Sequence, residues 1–340
     1  MRVRPGRGSR PRTRRRPAHS SAAEAFVVAV DRGRYHCVIG DRELTAMTAR
    51  ELGHRRVVVG DMVSLAGDTS GAAGTLARIV RVAPRSSVLR RSADDSDPVE
   101  RVIVANADQL VIVCALADPP PRPRLIDRFL VAAYDAGIDP LLCLTKADLA
   151  APDDLLAAYA PLGTEHVVLG RPLTEEMLDA VRVKLAGRLS VLVGHSGVGK
   201  STLVNALIPD ARRAVGMVSE VTGRGRHTSS SAVALRLPGG GWLIDTPGLR
   251  SFGLGHIAAD RVVQAFGDLA EGTAGCPPGC THLEPDCALD SWVAARGGGP
   301  LAVRLDSLRR LLRSLEGLDP SGSAPAHRIP PADTDTDTDT

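Results

Sequence analysis

Lysine is nearly missing from this chain. Of 42 Lys plus Arg, only Lys146, Lys184 and Lys200 are lysine. General surface charge is therefore carried by arginine, and a retained lysine marks a place that needs a compact point charge. Aromatic residues are also scarce, at 3%. Between Glu24 and Arg91 they are Phe26 and Tyr35 alone, too few for a platform on which single-stranded bases stack. No apolar run approaches the roughly 20 residues that span a bilayer. Cysteine is sparse, and Cys37, Cys114 and Cys143 sit singly in apolar runs, where a free thiol acts as a small core residue. That usage fits a reducing cytoplasm. What remains, 44% hydrophobic and 24% charged over 340 residues, is a soluble globular chain of two or three domains.

The net charge of +3 conceals a polarity, with eight arginines between Arg2 and Arg16 and an acidic Asp-Thr repeat from Asp333 to Thr340. Both ends read as disordered. The arm either touches RNA phosphates or keeps the chain soluble. An export signal is not expected, because the apolar segment after the arm, Ala25 to Val30, is short and flanked by Glu24 and Asp31.

The most informative stretch is LSVLVGHSGVGKSTLVNALI, Leu189 to Ile208. Gly194, Gly199, Lys200 and Ser201 satisfy G-x-x-x-x-G-K-[ST], set between an apolar strand and a helix that Pro209 stops. In such a loop the backbone of Gly194, His195, Ser196, Gly197, Val198 and Gly199 turns its N–H groups around a β-phosphate. Lys200 reaches the β- and γ-phosphates, Ser201 offers its hydroxyl to Mg²⁺, and Thr202 continues the helix.

Before this, short β-runs (AFVVAV, RYHCVIG, VVVGDMVSL, GTLARIVRV) separated by Gly and Asp turns predict a small closed barrel of the OB type. A β-adaptor without RNA affinity is the alternative. Arg78, Arg81, Arg85, Arg90 and Arg91 near its end favour phosphate contact with folded RNA. After the linker SADDSDP, apolar strands alternate with amphipathic helices, including one from about Pro123 to Gly137, which is the pattern of a buried parallel sheet. Thr145, Lys146, Ala147 and Asp148 follow the strand LLCL and match the [NT]KxD guanine motif. The Asp148 carboxylate suits the two donors of guanine, and the stem of Lys146 can lie along the base. Asp245-Thr246-Pro247-Gly248 follows GWLI and reads as DxxG, with Asp245 reaching Mg²⁺ through water and Gly248 sensing the γ-phosphate. TKAD precedes the P-loop, whereas the ordinary order places it last, so the domain is expected to be circularly permuted. The residue after Gly248 is Leu249, which cannot orient water; His227, between Arg226 and the hydroxyl run Thr228 to Ser230, is the candidate for that role.

Cys276, Cys280, His282 and Cys287 supply a Cys₃His set for tetrahedral zinc, structural because the shell is complete. Beyond it, Leu301, Leu305, Leu308, Leu312 and Leu315 recur at helical spacing, with Arg304, Arg309, Arg310 and Arg313 expected to form a solvated basic side.

Together these residues resemble the ribosome small subunit-dependent GTPase A family (RsgA, also called YjeQ), over roughly residues 24–318. The resemblance is carried by PRSSVLRR, VANADQLVIV, TKADL, GHSGVGKSTLVNAL, GRGRHTSS at 223–230, DTPGLRSF and CPPGCTHLEPDC. The family's Ser-Ala base-contacting motif is not evident in HVVLGRP. The resemblance implies an OB domain, a permuted G domain and a mainly helical C-terminal zinc domain. It implies GTP hydrolysis stimulated by the 30S subunit in its late maturation, contact with 16S rRNA, one zinc per chain and magnesium with GTP, and it points to His227 again. The expected organisation is an arm at 1–23, barrel at 24–92, G domain at 99–255, zinc domain at 256–318 and tail at 319–340. A cytoplasmic monomer is expected. The alternatives are a GTP-gated RNA-binding adaptor and a large-subunit assembly factor.

Overall fold

The computed structural model describes residues 22–53, 56–91, 101–209, 211, 232–246, 257 and 259–316. Five strands form the N-terminal barrel: β1 (Ala23–Asp31), β2 (Arg34–Ile39), β3 (Arg42–Thr48), β4 (Met62–Ala66) and β5 (Ala77–Val82). They run in the order β1-β2-β3-β5-β4, and pairing of β1 with β4 (Ala23↔Leu65 through Phe26↔Met62) closes the ring. Its interior takes alternate residues, among them Ala25, Val27, Cys37, Ala46, Leu65, Ala77 and Ile79, none more than 1% exposed. Small residues among large ones are what a narrow five-stranded barrel can hold. Strand β3, absent from the named β-runs of the sequence, is hidden there by the charged pair Arg42-Glu43 at its start.

The motifs PRSSVLRR and VANADQ meet at the joint between this barrel and the α/β region. The ribbon β6 (Val88–Arg91) and β7 (Arg101–Ala105) brings them side by side. Asp61, fully buried, accepts a hydrogen bond from the Val58 N–H and a forked pair from Arg85 Nε and Nη2 (2.7 and 2.8 Å). Asn106 donates to the Gly60 carbonyl and accepts from the Ser86 N–H, each at 2.8 Å. A Cβ on Gly60 would stand 2.0 Å from the Ala105 carbonyl oxygen, so this approach admits glycine alone.

The α/β region holds β8 (Gln109–Ala115), β9 (Asp139–Thr145), β10 (Glu165–Leu169), β11 (Leu189–Val193), β12 (Val233–Arg236) and β13 (Trp242–Asp245), in the order β10-β9-β8-β11-β13-β12. All pairings here are parallel except β12 with β13. On the far side β12 meets β1 (Ala29↔Val233), and Phe26 packs on Trp242 with ring centroids 4.9 Å apart, so barrel and sheet are continuous. Helices α1 (Pro123–Ala136), α2 (Asp153–Tyr159), α3 (Glu175–Leu185) and α4 (Lys200–Leu207) connect the strands. C-terminal helices α5 (Ala259–Gln264), α6 (Gly267–Ala270), α7 (Ala288–Ala295) and α8 (Pro300–Leu315) complete the described chain. No helix among the described residues is long and apolar enough to cross a membrane.

Strand β8 is buried along its whole length. Leu110, Ile112 and Cys114 pack with α1 and the C-terminal helices, while Val111, Val113 and Ala115 pack with α3 and α4. A strand covered on both faces has no polar side, which explains the continuous apolar run. The basic side of α8 differs from its expected solvation. Arg304, Arg309 and Arg310 are only 25%, 14% and 27% exposed and pair with Asp268, Asp290 and Asp127. The helix therefore packs between α1 and the loop of the Cys₃His set, and these three arginines are joints.

Asp61→Ala leaves Arg85 and the Val58 N–H without their shared acceptor. The expected cost is about 3 kcal/mol, read as a lower urea midpoint, whereas Arg78→Ala on the exposed side of β5 should change stability by about 0.5 kcal/mol or less.

Candidate active site and metal centre

The chain runs β8, β9, β10 outward in one direction, then crosses back to place β11 on the other side of β8. This is a topological switch point, where the carboxyl ends of parallel strands open a crevice. Three expected motifs converge on it. Gly194 to Gly199 leave β11, Thr145 ends β9, and Asp245 ends β13 in register with Leu192.

The loop from Gly194 to Gly199 is held close to the sheet. Gly194 has φ 148°, and a Cβ there would stand 2.3 Å from the Val113 carbonyl oxygen, so the tight exit from β11 depends on the missing side chain. Two threonines tie neighbouring strands to it. Thr145 Oγ1 donates to the Val198 carbonyl at 2.6 Å, and Thr246 Oγ1 donates to the Leu192 carbonyl at 2.7 Å. Sequence reasoning placed Thr145 with the base and gave Thr246 no role. A hydroxyl residue where each apolar strand run stops was the available signal. His195, Ser196 and Gly197 lie at the mouth, Val198 is buried beneath, and Ser201 and Thr202 stand exposed on the first turn of α4, where backbone N–H groups have no intrahelical partner.

Lys200 Nζ donates to the Gly194 and His195 carbonyls at 2.6 and 2.8 Å. Burial pushes its pKa down, and the Asp245 charge opposes that. Asp245 is pushed up by burial and drawn back by Lys200. Each of these two half-buried charges thus offsets part of the burial penalty on the other. At the other end, Lys146 is 6% exposed, has φ 60°, and donates from Nζ to the Asp118 carbonyl. Nothing in the sequence signalled Asp118. Asp148 is exposed, and the Ala147 N–H bonds the Leu169 carbonyl at 3.0 Å. Gly170, in the segment without a Ser-Ala motif, lies directly against Asp148. His227, Thr228 and Gly248 fall outside the described residues.

Between α6 and α7, the ligand atoms of Cys276, Cys280, His282 and Cys287 all lie within 4.8 Å of one another. All six cysteines are free thiols. Cys276 Sγ and Cys287 Sγ are 3.8 Å apart, and each is 3.6 Å from His282 Nδ1. A tetrahedral ion with bonds of about 2.3 Å to sulfur and about 2.0 Å to nitrogen requires about 3.8 and about 3.6 Å for these separations. The donor set fits a metal, and Nδ1 is the imidazole atom aimed at it. Arg309 braces the centre from outside: Nε donates to the His282 carbonyl at 3.0 Å while Nη1 and Nη2 grip Asp290 at 2.8 and 2.6 Å.

Among solved structures the fold matches YloQ, described as a circularly permuted GTPase (22% identity, TM-score 0.62, covering 88% of this chain and 96% of that one). It also matches YjeQ from Thermotoga maritima (23%, TM-score 0.64, 87% and 99%). Loop, strand order and chain order together make this a circularly permuted GTPase. The family model for the RsgA GTPase matches residues 82–255. The small ribosomal subunit biogenesis GTPase RsgA of Ectopseudomonas mendocina is 44% identical over 245 residues, 70% of each chain, and that of Pseudomonas aeruginosa 41% over 271 residues, 77% of each. The chain belongs to the RsgA GTPase family.

Elemental analysis after mild chelation should find about one metal ion per chain, and Cys280→Ser should lose it. A metal-free protein with α7 and α8 still folded would remove the centre.

Proposed function

We propose that this chain binds the 30S ribosomal subunit and hydrolyses GTP late in that particle's maturation, the nucleotide state timing its release. What carries the reading is a permuted GTPase crevice in a chain whose relatives, at 41–44% identity, are named for small-subunit biogenesis. In this reading the N–H groups of residues 194–202 cradle the phosphates and Lys200 neutralises the charge that develops on them. The Asp148 carboxylate accepts from the guanine N1–H and amine, Lys146 lies along the base, and Thr145 and Ala147 set the height of that loop. Ser201, Thr228 and Asp245 are assigned to the magnesium that accompanies GTP, and Gly248 to the γ-phosphate. Magnesium, when bound, screens the phosphate oxygens. His227 orients the attacking water, since Leu249 cannot.

The metal is assigned as zinc because three cysteines and one histidine suit it, with Cys276, Cys287 and His282 already at tetrahedral spacing and Cys280 close by. Arg34, Arg50, Arg78 and Arg81, exposed on the barrel, are assigned to 16S rRNA phosphates. The working units are taken as barrel 24–92, G domain 99–255 and zinc domain 256–318, in a cytoplasmic monomer.

GTP turnover measured alone, with 30S and with 50S subunits tests this directly. Stimulation by 30S alone is expected, no stimulation would leave the RNA-binding adaptor, and a 50S response would place the chain on the large subunit. His227→Ala should slow the stimulated rate by about a hundredfold, with GTP affinity near wild type. Full stimulated turnover in that variant would leave water positioning to the ribosome.

Asp148→Asn should weaken GTP binding and shift preference towards xanthosine triphosphate, whose C2 carbonyl meets an amide donor. Titration with both nucleotides checks it, and unchanged GTP affinity would remove Asp148 from the site.

A further inference from the structure

Consecutive arginines on α8 reach in opposite directions. Arg309 holds the metal-ligand loop at the His282 carbonyl. Arg310 turns to the G domain, where its Nη1 donates to the Ala158 carbonyl at 3.2 Å and its guanidinium lies over the Tyr159 ring at 4.7 Å. Its Nε stands 3.4 Å from Asp127 Oδ2, a charge contact rather than an aligned hydrogen bond. Asp127 is 2% exposed, and the Tyr159 hydroxyl lies 3.0 Å from its Oδ1 and 3.1 Å from the Pro123 carbonyl. Arg304, two turns earlier, donates to the Pro161 carbonyl at 2.5 Å. Two α8 side chains therefore fix the backbone of the last turn of α2 and of the turn after it.

That turn belongs to the segment joining the two loops at the base end of the crevice. Upstream lies Thr145–Asp148, downstream Gly170, and the two loops touch each other. A buried carboxylate that loses its cation is costly, so Asp127 and Tyr159 keep their places only while α8 is docked. Arg309 and the loop it braces add to the apolar packing of Leu305, Leu308, Leu311 and Leu312 by which α8 docks. The contacts run from His282 through Arg309 and Arg310 to Tyr159, and the chain on either side of Tyr159 carries on into the base loops.

We propose that Arg310 is a positioning residue for the guanine site, through which metal and nucleotide binding are thermodynamically coupled. The inference rests on the reading of Thr145–Asp148 as the guanine loop. Coupling is reciprocal, so bound nucleotide must hold the metal more tightly by the factor with which metal strengthens nucleotide binding.

The test uses the full zinc-loaded chain. Zinc affinity is measured by equilibrium competition with a chromogenic chelator, with and without saturating GDP, and GDP and ADP affinities are measured in parallel. GDP should raise zinc affinity about tenfold in the wild type, within the range of ordinary couplings. In Arg310→Met that factor should fall to about two or less, with one zinc still bound and GDP affinity weakened about tenfold. Asp127→Asn keeps the shape and removes the ion pair, and it should behave alike; it decides the matter if Arg310→Met does not fold. Equal GDP protection in wild type and variants, or none in a wild type that binds GDP well, overturns the coupling. A wild type that does not prefer GDP to ADP instead overturns the guanine-site reading beneath it.

Discussion

Both faces of β8 must be covered, and most of the molecule is arranged to meet that requirement. The strand lies between β9 and β11, so whatever orders β8 orders the two strand ends that carry TKAD and the P-loop. Leu110, Ile112 and Cys114 need a cover that α1 alone does not complete. The C-terminal helices supply the rest, and Phe266, Leu289, Leu305 and Leu308 share a cluster with Phe129 and Val191. The metal-binding segment is thus part of the layer that keeps the central strand dry, and its hold on the G domain is apolar before it is ionic.

The division between arginine and lysine obeys the same logic. Arginine serves where a planar fork can grip a carboxylate and a carbonyl together, as Arg85 does at Asp61 and Arg309 at Asp290 and His282. Lys146 and Lys200 instead stand in the crevice with their ammonium groups on backbone carbonyls. Lys184 makes an ordinary exposed pair with Glu165. Two of three lysines therefore mark the site, which is what their scarcity suggested.

Much of this was legible because it depends on local chemistry. The P-loop, TKAD and the Cys₃His set are short patterns whose backbone demands are written in glycine, proline and ligand spacing. The α1 range was read within a residue because Pro123 and Gly137 bound it. Long-range pairing was not legible. No local signal joins Asp127 to Arg310 across nearly two hundred residues, or Asn106 to Gly60, because each side chain looks like an ordinary solvated group until the fold buries it. The solvated reading of α8 failed for that reason: helical period locates an apolar stripe but says nothing of acids waiting on another element.

Permutation changes the order in which these parts are connected without changing their places in the sheet. The strand β13, which carries Asp245, comes last, so the chain leaves the phosphate end of the crevice and goes on to the helices that cover α1. In the unpermuted order the base loop would come last and that cover would need a separate connection. Here that cover is held to the G domain by the α8 side chains that grip the end of α2 and the turn after it. One layer thus both covers β8 and grips the segment that joins the loops after β9 and β10.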